Sequence, residues 1–328
     1  CDERLGDGQP MKKTMESQVF NMGTVIINHV TGEHPQSVLH EVQDEISRLN
    51  RLLSRFVEAS DISRVNRGAG RSPIKVSEET FQLLSDSLGY SKLSQGLWDM
   101  TICPLVMLWE EAKRELTVPG RQMIEKAKAL VGYQDVILNE EAKSVFLPKA
   151  KQAIDLGGIG KGYAADQIIR LFKSHQIDSG FTNFGGNVSA VGSKPDGTPW
   201  NIGIQHPRNP QELVGLVPVI DKSVVTSGDY QRFYRATDGN HYHHIIDPKT
   251  GYPSDSGLIS TTIIADSSAT ADALSTLTFL SGLERSKDIL KDYEGVEAVL
   301  IDKHLTVYLT KGIKDDFEGI QGLKIRVL

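Results

Sequence analysis

The stretch that most constrains this chain is Asp155-Leu-Gly-Gly-Ile-Gly-Lys-Gly-Tyr-Ala-Ala-Asp166. An Asp with apolar flanks enters a glycine-rich turn, one Lys sits inside it, and an amphipathic run from Ala164 to Phe172 follows. Glycines let backbone approach a ligand closely and adopt positive φ. Free N–H groups in a turn at a helix start form an anion site, and a Lys there adds a point charge suited to phosphate. The familiar phosphate templates do not match. The ATP-binding loop needs Ser or Thr after its Gly-Lys, and Lys161 is followed by Gly162. The dinucleotide pattern G-x-G-x-x-G fails because Gly158, Gly160 and Gly162 alternate. A tight strand-to-helix turn with no ligand is the plain alternative, so the neighbouring motifs must decide.

Composition narrows the setting. The 328 residues suit one large domain or two small ones, and 39% hydrophobic with 24% charged residues is ordinary for a globular chain. A net charge of −6 without a basic block argues against nucleic acid. No apolar run approaches the roughly 18 residues that span a membrane. Of the two cysteines, Cys103 lies in the apolar run Ile102 to Leu108 and is expected to pack as a small hydrophobe. Cys1 opens the chain. That start resembles a mature bacterial lipoprotein with a lipid on Cys1, and Asp2 resembles an inner-membrane retention signal. Residues 1–18 then read as a tether, with Gly6, Gly8 and Pro10 in a flexible linker. The plainer alternative is an arbitrary starting point.

Residues 19–328 read as one domain. Val19 to Val30 is a strand interrupted at Asn21 to Thr24, and Ser37 to Phe56 has helical periodicity with Val38, Val42, Ile46, Leu49, Leu52 and Leu53 on one face. Further helices are expected after Ser60 or Asp61, over Ser77 to Leu93, Leu105 to Glu115 and Gln122 to Val131, with a hairpin over Asp135 to Leu147. Strands follow around Gly180 to Val191 (broken at Asn183 to Asn187), Trp200 to Ser227, a hairpin at Gln231 to Ile246, and Ile259 to Ala265. Helices over Ser267 to Leu280 and Leu283 to Asp292 and two or three short strands end the chain. Helices and strands mix without strict alternation, so the expected class is α+β with a mixed, largely antiparallel sheet packed with helices.

Seven stretches are too polar or too glycine-rich for packing alone. They are Met22-Gly-Thr24, Trp98-Asp-Met-Thr101 with Pro104-Leu105, the glycine loop, Asn183-Phe-Gly-Gly-Asn187, Thr226-Ser-Gly-Asp-Tyr230, His244-Ile-Ile-Asp-Pro-Lys-Thr-Gly251 and Ala271-Asp-Ala-Leu-Ser-Thr276. Together and in this order, from about Val19 to Gly282, they resemble the ApbE family of FAD:protein FMN transferases, a T-fold-like architecture. The resemblance implies Mg2+-dependent transfer of FMN from FAD to a Thr or Ser hydroxyl of acceptor proteins, with release of AMP. Acceptors would be subunits of membrane redox complexes, facing the periplasm. It also implies site roles. Asp272, Thr276 and the carbonyl of Gly158 would hold the metal, and Asp272 and Thr276, four apart on a helix, share a face. Met22, Phe56, Leu97, Trp98, Asp99, Asp155, Lys161 and Ile246 match FAD contacts. Asp155 takes a hydrogen bond from the nucleotide or holds the loop, with an ion pair to Lys161 as the plain alternative. His244 orients the acceptor hydroxyl or takes its proton. Asp229 is a second acid near the phosphates or a turn cap.

Two positions depart from the family pattern. Phe56 stands where many members have Tyr, and Gly160 where Ala is usual. A zinc reading of His241, His243 and His244 lacks a further spaced ligand. Rival activities are FAD pyrophosphatase and a non-catalytic FAD-binding lipoprotein, against which the metal-binding pair Asp272 and Thr276 argues.

Overall fold

A computed structural model of the protein describes residues 12–320 and 322–328. Two strands, β1 (Lys13–Asn21) and β2 (Thr24–Gly32), open the fold as a hairpin closed by Met22 and Gly23. Both turn residues have positive φ, 49° and 73°, which matches the turn twist to that of the strands. The interruption expected at Asn21 to Thr24 is therefore a reversal of the chain. β1 also begins at Lys13, so residues 13–18 belong to the sheet and not to a tether. The lipid expected on Cys1 falls outside the described residues.

Helix α1 (Pro35–Leu53) buries Val38, Val42, Ile46, Leu49 and Leu53, the face its periodicity marks. In α2 (Asp61–Gly68) Ser60 is the cap, its hydroxyl accepting from Ser63 N–H at 3.0 Å. After the short β3 (Ile74–Lys75), Ser77 caps α3 (Glu78–Leu93) in the same way. α4 (Cys103–Glu115) starts two residues earlier than expected because Pro104 fits its first turn, where no N–H is needed. Cys103 is buried there, and burial pushes its thiol up to about 12. α5 (Arg121–Lys128), β4 (Ile137–Asn139) and β5 (Ser144–Phe146) lead to α6 (Gly160–Ser174). Then come β6 (Ser179–Phe184), β7 (Asn187–Gly192), β8 (Trp200–His206), β9 (Asn209–Val219) and β10 (Ser223–Gly228). A small hairpin, β11 (Phe233–Arg235) and β12 (His241–His243), precedes β13 (Leu258–Ala265) and α7 (Ser268–Lys291). The two helices expected at the end are one element broken at Gly282, where φ is 73°. β14 (Glu297–Asp302), β15 (Thr306–Leu309), β16 (Glu318–Gly319) and β17 (Lys324–Val327) complete the chain.

Nine strands form the main sheet in the order β1-β2-β6-β7-β10-β13-β14-β15-β17, antiparallel except for β15 with β17. One face packs on α1, α6 and α7 through the largest core, which takes Val225, Ile263 and Leu300 from the strands. The other packs on the three-stranded sheet β16-β9-β8 through a second core with Val224, Ile264 and Ile301. Every residue of β13 is buried, as a strand covered on both faces must be. The fold is the expected α+β class. Among the described residues no helix is long and apolar enough to cross a membrane.

Candidate active site

Sheet register gathers the motifs at one end. Pairing of Ile26 with Phe184 sets the β1–β2 and β6–β7 turns side by side. Pairing of Val224 with Val188 carries the last residues of β10 past the start of β7 to the same end. The first turns of α6 and the first half of α7 cover it from the helix layer.

α6 begins inside the glycine loop, at Gly160, so Lys161 and Gly162 belong to its first turn. A Cβ on Gly162 would lie 2.2 Å from the Ser268 carbonyl oxygen and 2.7 Å from Asp272 Cβ. Glycine there lets α6 and α7 touch backbone to backbone. Its N–H donates to Asp272 Oδ2 at 2.9 Å, and Asn187 Nδ2 donates to Oδ1 at 3.2 Å. Lys161 Nζ stands 3.9 Å from the same Oδ1. Asp272 is only 3% exposed, a carboxylate held almost wholly inside the protein. One turn on, half-buried Thr276 has its Oγ1 3.3 Å from Ser227 Oγ, which lies 2.8 Å from Ser275 Oγ. The spacing argument for Asp272 and Thr276 sharing a face agrees with this geometry. Ser227 was legible only as part of its motif, since nothing local marks which hydroxyl meets α7.

Asp155 does not pair with Lys161. Its Oδ2 accepts from Arg55 Nε at 2.6 Å, and its Oδ1 accepts from Gly157 N–H at 2.6 Å, so it braces the loop. Arg55 also pairs with Glu110 and lies over the Phe56 ring, its Cζ 4.0 Å from the centroid. Phe56 is 76% exposed, with a ring available for stacking. Asp155 N–H donates to the Met100 carbonyl, which ties the Leu97 to Thr101 segment to the loop. Leu97 and Trp98 are buried, and Trp98 Nε1 would lie 3.0 Å from a Cβ built on Gly158. Asp99 has an inward role. Its Oδ1 accepts from Thr101 N–H and Oγ1 at 2.8 and 2.7 Å, and its Oδ2 from Tyr133 N–H at 2.9 Å. Both oxygens brace the segment, and burial pushes the carboxyl up. The Asp99 carboxylate is thus engaged by the amide and hydroxyl of Thr101 and the amide of Tyr133.

The histidines resolve into distinct roles. His244 Nδ1 lies 3.2 Å from the Arg232 carbonyl oxygen. A carbonyl only accepts, so Nδ1 carries the proton and Nε2 is left as the acceptor. Desolvation by surrounding protein, then the Arg232 guanidinium, pushes the His244 pKa down, although the ring still reaches solvent. The Lys161 charge acts in the same direction. His243 has the opposite tautomer: Nδ1 accepts from Ile245 N–H at 3.2 Å, so Nε2–H donates to the Ser254 carbonyl at 2.9 Å. His241 stacks on Phe233, and no zinc-like cluster occurs among the described residues. Arg232 Nη2 donates to the Gly23 carbonyl at 3.2 Å, which joins the Met22–Gly23 turn to the His244 segment. Ile246 is buried and bridges to Pro253, with its side chain in the core under α4 and α5. Asp229 is not a turn cap: its carboxylate forms a two-pronged ion pair with Arg208, at 2.7 and 2.8 Å.

The contacts join the Met22–Gly23 turn to the His244 segment, Trp98 to Gly158, and Lys161 to Asp272. Sequence reasoning passed over Arg55 and Arg232 and held Asn187 only as part of its motif, because their partners lie far off in the chain.

The ApbE family profile matches residues 22–300. A FAD:protein FMN transferase of Klebsiella pneumoniae (strain 342) is 34% identical over 278 residues, 84% of this chain and 86% of its own length. Another, of Treponema pallidum (strain Nichols), is 33% identical over 312 residues, 90% of this chain and 86% of its own. The crystal structure of the ApbE protein of Thermotoga maritima superposes with a TM-score of 0.86 at 32% identity, covering 93% of this chain and 99% of that one. The flavin transferase ApbE of Vibrio cholerae gives 0.80 at 26% identity, over 94% and 97%. Motif order, fold and these relatives agree: the chain belongs to the ApbE family.

Proposed function

We propose that this protein is a FAD:protein FMN transferase, moving FMN from FAD to a Thr or Ser hydroxyl of an acceptor protein and releasing AMP, with Mg2+ as its metal. The observation that carries this reading is the buried Asp272 carboxylate, which has one cation, Lys161, at 3.9 Å. A carboxylate so enclosed calls for positive charge beside it. The donors at hand are the carboxylate of Asp272 and the hydroxyls of Thr276 and Ser227, hard oxygens that suit Mg2+ and not a thiophilic metal. By the family resemblance the Gly158 carbonyl joins them. Bound there, Mg2+ supplies charge neutralisation at the pyrophosphate.

The chain's own residues do the rest. Lys161 sets a point charge beside the phosphates, and the exposed Phe56 ring, stacked on Arg55, offers a flat surface to a flavin or adenine. His244, neutral and unprotonated at Nε2, accepts the proton of the acceptor hydroxyl. The hydroxyl oxygen bonds to the FMN phosphorus, the phosphorus–oxygen bond to AMP breaks, and AMP leaves with the bridging oxygen. Acceptors among subunits of membrane redox complexes are the partners the resemblance favours.

Incubation with FAD, Mg2+ and a peptide carrying an acceptor Thr tests this by mass spectrometry. The expected result is a peptide heavier by one FMN with matching AMP, and loss of both on the order of a hundredfold or more in Asp272→Ala. AMP and free FMN with an unmodified peptide would instead indicate a pyrophosphatase. FAD binding without any AMP would leave only a carrier.

A further inference from the structure

Asp166 takes no part in the chemistry above, yet its carboxylate accepts three hydrogen bonds from the start of α7. It lies one turn beyond Gly162 on α6 and so shares its face. Its Oδ1 accepts from Ser268 N–H at 2.7 Å, and its Oδ2 accepts from Ala269 N–H at 3.0 Å and from Ser267 Oγ at 2.8 Å. The hydroxyl of Ser267, the cap of α7, accepts from Thr270 N–H at 3.2 Å and not from the Ser268 or Ala269 amides. The next free amides of the α7 first turn are therefore satisfied by a carboxylate reaching across from another helix, where the helix dipole favours negative charge.

The consequence lies one turn further along. Ser268 and Asp272 are four residues apart on α7, as Gly162 and Asp166 are on α6. The two helices are thus joined twice at the same interval. Asp166 holds the α7 amides, and the Gly162 N–H holds the Asp272 carboxylate at 2.9 Å. With the Cα of Gly162 against the Ser268 carbonyl there is no slack for α7 to slide. The first joint sets the axial position and rotation of α7, and that setting determines where Asp272 and Thr276 point.

We propose that Asp166 is a positioning residue of the metal site: by capping α7 from α6 it sets the geometry at which Asp272 and Thr276 present their oxygens to a divalent cation. This rests on the transferase reading, in which those two residues hold Mg2+. A residue that merely stabilises the fold would lower the melting temperature and leave metal affinity alone. A positioning residue shifts metal affinity as well, and partners behind metal ligands are commonly worth about 10- to 100-fold in affinity.

The test is the full chain with FAD, titrated with MgCl2 and followed by its thermal melting midpoint, in the wild type and in Asp166→Asn. Asparagine keeps the shape but loses the charge and one acceptor. FAD affinity is measured separately in EDTA by flavin fluorescence. The expected result is about a tenfold rise in half-saturating Mg2+, with FAD affinity in EDTA changed by less than about twofold and AMP release restored at high Mg2+. The same half-saturating Mg2+ in both proteins, whatever the melting temperature, overturns the proposal. A wild type that shows no Mg2+-dependent shift overturns the metal reading itself and this inference with it. Should Asp166→Asn not fold, Ser267→Ala removes one of the three donors and must shift the Mg2+ response in the same direction; no shift there counts against the proposal equally.

Discussion

His243 and His244 are adjacent in sequence and opposite in chemistry. The first spends both ring nitrogens on backbone, at 3.2 and 2.9 Å. The second spends only Nδ1, on the Arg232 carbonyl at 3.2 Å, and keeps Nε2 available. The His-x-x-Asp-Pro motif named His244, but no local signal shows its tautomer, because the carbonyl that sets it is 12 residues back across the β11–β12 hairpin. His244→Asn is expected to cut FMN transfer by about 10²- to 10⁴-fold and leave FAD affinity near the wild-type value, as judged by flavin fluorescence. Because the His244 pKa is pushed down, the transfer rate should show no fall near pH 6.5, where a free histidine titrates, and should decline only in more acidic buffer. A rate that halves near pH 6.5 in the wild type and not in the variant would contradict the assigned shift. Arg55 carries the complementary lesson. Its partners Glu110 and Asp155, the latter 100 residues on, lie far beyond the helix it follows.

Among the elements, the α6–α7 contact explains why the glycine loop was read correctly in part. Alternating glycines suggested close approach to a ligand. Gly162 serves close approach of another kind, to the Ser268 carbonyl and Asp272 Cβ of α7. The helix therefore starts at Gly160, ahead of the amphipathic run from Ala164 that periodicity picks out. Gly162→Ala should gain a little helix propensity and lose more to the clash. The backbone atoms it meets cannot rotate away, so a net destabilisation of about 1–3 kcal/mol is expected from overpacking. The urea midpoint measures it, and Mg2+-dependent AMP release should fall together with stability because Asp272 moves with α7. A variant as stable and active as the wild type would show that the two helices can separate freely there. The Met22–Gly23 hairpin is the other element whose nature escaped the sequence reading. Its residues were marked as an interruption, and the reversal depends on positive φ at both.

For the whole molecule, nine strands with a helix layer on one face and a small sheet on the other place the β1–β2, β6–β7 and β10 ends together. One consequence is a pH limit on stability. Burial holds His243 below the usual histidine pKa, with its ring edge-on to Phe279 at 5.5 Å. The unfolded chain binds a proton at this residue below about pH 6.5 and the folded protein does not. Stability must therefore fall as pH drops through that value toward the lower folded pKa. Urea midpoints between pH 7.5 and 5 should decline in the wild type, and His243→Gln should be less stable at pH 7.5 but show a shallower decline. An unchanged slope would mean that His243 titrates alike in both states.

Local chemistry in the chain made a good deal legible: the periodic face of α1, the Ser60 and Ser77 caps and the α+β class, while the order of the motifs, through the family resemblance, singled out Asp272, Thr276, Lys161 and His244. The face and the caps follow from residues close to one another in the chain. Pairings across the fold lay beyond such reasoning. Arg55 with Asp155, Asn187 with Asp272, Asp166 with the start of α7 and Arg232 with Gly23 join segments that only sheet register and helix packing bring within hydrogen-bond distance. Asp99 shows the same limit, since the Thr101 and Tyr133 donors that hold its carboxylate are not marked by its motif. A sequence lists the donors and acceptors a protein has, and their geometry comes from contacts among residues far apart along it.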